Sequence, residues 1–274
     1  MFSFYRLRSF FMILITYRRL LMDMTARDLR NRYAGSYVGL FWTILVPLLS
    51  SVVYVAVFSV LMRGSLQGEY AHLNFTVFYF TGFTPWFLFS EVLIRNLGII
   101  RENANIVTKV FFPNSILPLS VFLSSLVAHT VLILFCIALI YIYGFSFSHR
   151  FYFLPVYLIF LFLITMGLSF FFAAISVFIK DLSEIIPIFL NLLFFSTPIL
   201  YPYHLFNEAP KWAQYLLTAN PFYHIAEGYR ISLINLDVRT NIYGIIILSA
   251  YSIFFILLGI YTFAKLKPSF ADVL

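Results

Sequence analysis

The sequence predicts an all-α integral membrane protein with six transmembrane helices, an N-terminal amphipathic interface helix and two short external helices between spans five and six. Three observations predict it. Hydrophobic residues are 62% of the chain and charged residues only 11%, where a water-soluble fold carries about 25% charged residues. Long apolar runs separated by short polar gaps fill the chain from Val38 to Ala264. Lysine and arginine concentrate in alternate gaps.

Crossing about 30 Å of hydrocarbon takes roughly 20 helical residues. Six runs approach that length: Val38–Met62, Phe75–Leu97, Leu117–Tyr143, Phe151–Ile179, Ile185–Tyr201 and Ile242–Ala264. Backbone groups in lipid must bond within their own segment, so these runs are helices. Barrel strands alternate polar and apolar residues, whereas Leu158–Ile164 is apolar throughout. The chain therefore divides into residues 1–36, a cytoplasmic interface helix, and residues 37–274, a six-span domain. With the N-terminus inside, thirteen Lys and Arg fall on the cytoplasmic side and five outside. The positive-inside rule then puts both termini in the cytoplasm, consistent with an even number of spans. The net charge of +7 is thus a topology signal, and no nucleic-acid partner is expected.

Before the first span, Phe10, Leu14, Tyr17, Leu21 and Met24 recur every three or four residues, with Arg18, Arg19, Asp23, Arg30 and Asn31 largely between them. Such a helix lies flat at the interface, its arginines toward anionic headgroups. It serves as a plain anchor or docks a protein. Phe10–Ile15 is too short for a signal peptide core and is followed by Tyr17, Arg18 and Arg19, so no cleavage is expected. Ala34-Gly35-Ser36 and Gly39 suit a bend or close packing at the join.

The gap Ile99–Pro113 is polar at Arg101, Glu102, Asn103 and Asn105, then apolar at Ile106, Val107 and Val110. It is either a small helix with one apolar side or a solvated loop. The gap Pro202–Asn241 holds two helix starts. Pro210 suits a first helical position ahead of Trp212, and Asn220-Pro221 reads as an N-cap followed by proline at the first turn. The second helix carries Phe222, Ile225, Ala226 and Tyr229 on one side, and His224, Glu227 and Arg230 at i, i+3 spacing on another.

Soluble-enzyme chemistry is poorly represented. No glycine precedes Lys-Ser or Lys-Thr, so no phosphate-binding loop is present. The five histidines are scattered, and no metal site is expected. Cys136 is the single cysteine, which excludes an intrachain disulfide. His129 reads as a hydrogen-bonded core histidine, and Glu91 and Arg95 as a structural i, i+4 pair. Two helical stripes stand out: Thr43, Pro47, Ser50, Tyr54 and Phe58 in the first run, and Glu184, Pro187, Asn191, Phe195, Pro198 and Tyr201 in the fifth. Each should turn away from lipid, toward a helix or a cavity. Aromatic residues are 21% of the chain, which fits either sugar contact or interfacial belts.

Five ordered segments together resemble a known family. They are Arg27-Asp28-Leu29-Arg30-Asn31-Arg32-Tyr33 with Gly35 to Trp42 and Pro47; Asn105-Ile106-Val107 with Phe112-Pro113; Thr197 to Pro202; Asn220 to His224 with Glu227 to Arg230; and Phe270 to Leu274. They resemble the ABC-2-type permeases of O-antigen, capsule and teichoic-acid export, the membrane subunits of polysaccharide-exporting ABC transporters. The resemblance implies a homodimer in a bacterial cytoplasmic membrane, two copies of a separate ATPase that binds ATP and Mg, and lipid-linked polysaccharide passing between protomers. It implies ATPase docking at Arg27, Asp28, Arg101, Glu102, Asn103 and Asn105. It also implies an external gate at Pro210, Trp212, Pro221, His224, Glu227 and Arg230. With the first and fifth spans lining a path, Trp42, Tyr54, Phe195 and Tyr201 are the sugar-contact candidates. The rival readings are an exporter of a drug, lipid or other small hydrophobic cargo, and an intramembrane transferase. The second lacks the convergent His/Asp/Glu set that transfer chemistry requires.

Overall fold

The computed structural model describes residues 15–32, 39–61, 66, 70–109, 113–236 and 242–274. Arg6, Arg8, Phe10, Leu14, Tyr33, Ala34-Gly35-Ser36, Tyr37, Val38, Met62, Arg63, Val110, Phe112, Arg239 and Asn241 lie outside these residues, as does the side chain of Thr43. The helices are α1 (Arg18–Arg32), α2 (Trp42–Leu61), α3 (Phe75–Glu102), α4 (Ala104–Lys109), α5 (Ile116–Ile142), α6 (Leu154–Ser176), α7 (Leu182–Ser196), α8 (Lys211–Ala219), α9 (Pro221–Leu233), α10 (Ile242–Leu266) and α11 (Phe270–Val273). Among the described residues the only strand-like pairing is one antiparallel bridge, Phe147 with Ile234.

Among the described residues four stretches are long and apolar enough to cross a membrane: Phe75–Glu102, Ile116–Ile142, Phe151–Ser176 and Ile242–Val273. Leu45–Leu61 and Leu182–Ser196 are apolar but shorter. The fifth run is thus shorter than expected and lies earlier in the chain. Its 15 helical residues span about 22 Å. The cause is Pro198, which forces the residue before it out of the helical region; Thr197 is extended, at φ −99° and ψ 135°. The second run behaves oppositely. Helix α3 continues past Leu97 to Glu102, where Asn103 caps it and donates Nδ2 to the Ile99 carbonyl at 2.9 Å.

Helix α3 is the hub. It packs against α2, α5, α6, α7 and α9, and most of its length is buried although it is the least apolar of the four long stretches. A helix walled by protein has no need to be apolar all round, so α3 carries the charged and polar groups that lipid would reject. Beside it, α6 and α10 form the most extensive helix pair. Their backbones touch: a Cβ on Gly259 would stand 2.1 Å from the Gly167 carbonyl oxygen, and one on Gly167 would stand 2.3 Å from the Phe255 carbonyl carbon. Small residues at such crossings permit close approach.

Helix α5 ends on Gly144, whose φ of +72° is the left-handed conformation usual just past a helix end. Phe145 N then donates to the Ile140 carbonyl at 2.9 Å. The following loop reaches the end of α9, where Ser148 Oγ donates to the Ile231 carbonyl at 2.7 Å.

Gly259→Val should lower the thermal unfolding midpoint of the purified protein in detergent, because overpacking a close contact costs about 1–3 kcal/mol. A midpoint equal to the parent's would show that the α6–α10 crossing tolerates a side chain.

Candidate functional site

Two charge clusters sit near opposite ends of α3, and an aromatic strip runs between them. The first joins α1 to the bundle. Arg95 Nη2 on α3 lies 2.5 and 2.6 Å from the two oxygens of Asp28 on α1. Its Nη1 donates to Ser124 and Ser125 on α5, each at 3.2 Å. Ser124 also donates to Asp28, and Ser125 Oγ donates to Glu91 Oε1 at 3.0 Å. Arg32 Nη1 stands 2.5 Å from the same Glu91 oxygen, and the i, i+4 pair of Glu91 with Arg95 is looser, at 3.9 Å. Two acids balance two bases, which is how charge is kept where water is scarce. Leu21 and Thr25 bury the same face of α1, so α1 is tied into the bundle.

The second cluster fastens α9. Asn220 caps this helix as expected, accepting from Phe222 N at 2.9 Å, and its Nδ2 reaches Thr197 Oγ1 at 2.8 Å. Pro210 falls one residue before the first turn of α8, which begins at Lys211. Arg230 has no exposed surface. Its guanidinium donates to Glu227 at 2.6 Å and to the carbonyls of Pro198 (2.9 Å), Ile199 (3.2 Å) and Phe78 (3.3 Å). It also lies 3.7 Å from the Phe78 ring centroid, where a cation is attracted to the aromatic face. Gly82 makes the space, since a Cβ there would meet Arg230 Nη2 at 2.6 Å. Tyr70 donates to the other Glu227 oxygen. Burial first, and then the Glu227 charge, hold the Tyr70 phenol well above its ordinary range, so it stays a neutral donor. His224 is pushed below the usual imidazole range, chiefly by burial. Its Nε2 lies 2.7 Å from the Thr218 carbonyl, which can only accept, so Nε2 carries the proton.

Three sugar-contact candidates come together. Tyr54 lies 6.2 Å from Phe195, edge to face, and Tyr201 donates to the Phe195 carbonyl at 2.8 Å. Trp42 lies twelve residues from Tyr54 on α2, about 18 Å along the helix. Beneath this group runs an aromatic ladder that the spacing did not single out: Tyr54 to Phe194 (5.5 Å), Phe194 to Trp86 (5.6 Å) and Trp86 to Phe222 (5.5 Å). The two stripes differ in direction. On α2, Pro47 is buried, Tyr54 and Phe58 are half-buried and Ser50 is exposed. On α7, the inward face is Ile186, Leu190 and Phe194, while Glu184, Asn191 and Phe195 point outward from the chain.

The remaining expected residues separate by environment. Arg27, Glu102 and Asn105 are exposed. Arg101 turns inward and donates to Ser183 on α7 at 2.8 Å. Trp212 is 67% exposed, whereas His224 and Arg230 are buried. His129 is buried with Nε2 3.0 Å from the Tyr229 hydroxyl, the core role expected of it. Sequence reasoning missed Ser124, Ser125, Tyr70 and Gly82 as partners. Only the adjacent serines inside an apolar run carried a visible signal.

The family described as "ABC-2 type transporter" matches residues 19–234, and the chain belongs to that family. It is 33% identical to the O-antigen export system permease protein RfbA of Myxococcus xanthus over 79% of this chain and 81% of that protein. It is 29% identical to a Klebsiella pneumoniae protein of the same name over 93% and 95%. It is 25% identical to the polysialic acid transport protein KpsM of Escherichia coli over 73% and 76%.

Arg230→Met should destabilise the protein by about 3–5 kcal/mol, since it strands the Glu227 carboxylate in a buried site; thermal unfolding in detergent measures this, and a loss under 1 kcal/mol would contradict the geometry. A double-mutant cycle of Asp28→Asn and Arg95→Gln should return a coupling of about 1.5–3 kcal/mol, whereas additive effects would mean that the two side chains act independently.

Proposed function

We propose that the chain is the transmembrane subunit of an ATP-driven exporter that moves lipid-linked polysaccharide, of the O-antigen, capsule or teichoic-acid type, across a bacterial cytoplasmic membrane. The relatives' names supply the cargo class. The observation that carries the reading is the outward face of α7. Glu184 and Asn191 have polar groups that hydrocarbon would penalise, yet the opposite face of α7 is already spent on the core. A second copy of the chain, with cargo between the two, would cover it. In this reading α2 and α7 count as spans one and five, giving six spans with both termini in the cytoplasm, as the distribution of lysine and arginine supports. Shortness of α7 is tolerable for a helix that borders a pathway more than lipid.

ATP binding and hydrolysis reside in a separate subunit, two copies to each dimer. That subunit docks on exposed Arg27, Glu102 and Asn105 beside Asn103, while Asp28 and Arg101 act from within, linking the docking surface to α3, α5 and α7. When the partner closes on ATP, movement of α1 passes through Asp28 to Arg95. Movement of α4 passes along Arg101 and Ser183 to α7, which borders the path. Helices α8 and α9, with Pro210, Trp212, Pro221, His224, Glu227 and Arg230, form the external gate.

In vesicles holding this chain with its ATPase, Asn103→Glu with Asn105→Glu should weaken pull-down of the ATPase about tenfold, a 1.4 kcal/mol effect, and lower ATP-dependent export in step. Unchanged pull-down and export would remove α4 from the docking surface. ATPase activity should rise with lipid-linked glycan and stay flat with small hydrophobic drugs; the reverse would reassign the cargo.

A further inference from the structure

The segment Phe270 to Leu274, one of the five stretches of family resemblance, has no part in the proposed mechanism so far. In the fold it lies against α4. Helix α10 ends at Leu266, and Pro268 sits in the 3-10 turn Lys267–Ser269 that follows. Proline is tolerated in a first helical turn, so the chain runs through this tighter turn directly into α11. Phe270 then enters the core with no exposed surface. Its ring meets Phe263 edge-on at 5.6 Å and Phe178, just past α6, at 6.3 Å. Phe263 in turn packs on Phe170 at 5.3 Å. Phe270 is the one buried residue of α11, whereas Ala271, Asp272 and Val273 are exposed. Phe270 is therefore the side chain by which α11 enters the core.

Helix α4 needs such a neighbour. At six residues it is far below the length at which a helix holds itself, about 12–15 residues. None of its described side chains is fully buried; Val107 packs only partly against the core. Apart from α3, which leads into it through the Asn103 cap, α11 is its principal packing neighbour.

We propose that α11 is a clasp for α4 and that Phe270 is its positioning residue: seated among Phe178 and Phe263, it fixes the height and tilt at which α4 meets the ATPase. The transport half of this statement rests on the docking role given to α4 above; the clasp itself does not. With the clasp loosened, α4 still binds the partner through its exposed face, but it yields under the partner's stroke and transmits less movement to α7.

The test has two arms. In the first, the full chain alone in nanodiscs is followed by hydrogen exchange. Phe270→Ala should raise exchange of the amides at 104–109 by about tenfold, because local opening free energy sets the rate, while α6 and α10 stay as protected as in the parent. Unchanged protection at 104–109 overturns the clasp. If Phe270→Ala fails to fold, Phe270→Leu, which keeps most of the volume but loses the ring contacts, is read the same way with a rise of about threefold expected. In the second arm, the same variant reconstituted with the ATPase should keep pull-down and ATP hydrolysis within about twofold of the parent while polymer exported per ATP falls about fivefold or more. Raised exchange with unchanged export per ATP overturns the positioning role in transport but leaves the clasp standing, and the docking reading is judged separately by the Asn103→Glu with Asn105→Glu pull-down.

Discussion

Hydrocarbon offers no partner to a charge, and that constraint organises this molecule. Among the described residues, the charged side chains drawn into the bundle at its two clusters are met by other protein groups. Arg95 and Glu91 project from α3 into a cluster closed by Asp28, Arg32 and two serines. About 20 Å along the same helix, Gly82 and Phe78 receive Arg230, with Glu227 and three carbonyls completing its shell. Both clusters use the central helix as one wall. They connect two elements that do not span, α1 and α9, to the same central helix.

The placement of these clusters also explains why the hub is the least apolar of the long helices. Groups that would be costly against lipid become fasteners when protein surrounds them. The cost of removing one partner is then large, because the other is left without solvent or counter-charge. The clusters serve as joints whose geometry is set by charge, while apolar packing supplies the bulk of the contact. At the α6–α10 crossing, two glycines bring the backbones together and dispersion takes over.

A single chain also leaves one helix face uncovered. Helix α7 spends one face on the core and offers the other, with Glu184, Asn191 and Phe195, to something outside the chain. The short α4 and α11 stand at one end of the bundle, leaning on each other. The aromatic ladder from Tyr54 through Phe194 and Trp86 to Phe222 joins the outward-facing helix to α9 through the interior. It is a stiff connection made of large rings with few rotamers.

Much of this was legible in the order of residues alone. Apolar runs of bilayer length, the Asn220 cap, the Glu91–Arg95 spacing and the core role of His129 depend on local chemistry, and local chemistry is written in neighbouring positions. The polar stripe of α7 was legible as a stripe, but its direction was not, because a helix wheel defines faces without saying which one meets the core. The reach of Asp28 to Arg95 across 67 positions, and of Arg230 to Pro198 and Phe78, was invisible for the same reason: helical period and capping repeat within a few residues, whereas a buried charge finds its partner wherever folding brings one. Sequence by itself determined that this chain lives in a bilayer as a bundle of helices. Tertiary packing alone decided which charges meet, which faces stay open and which helix stands at the centre.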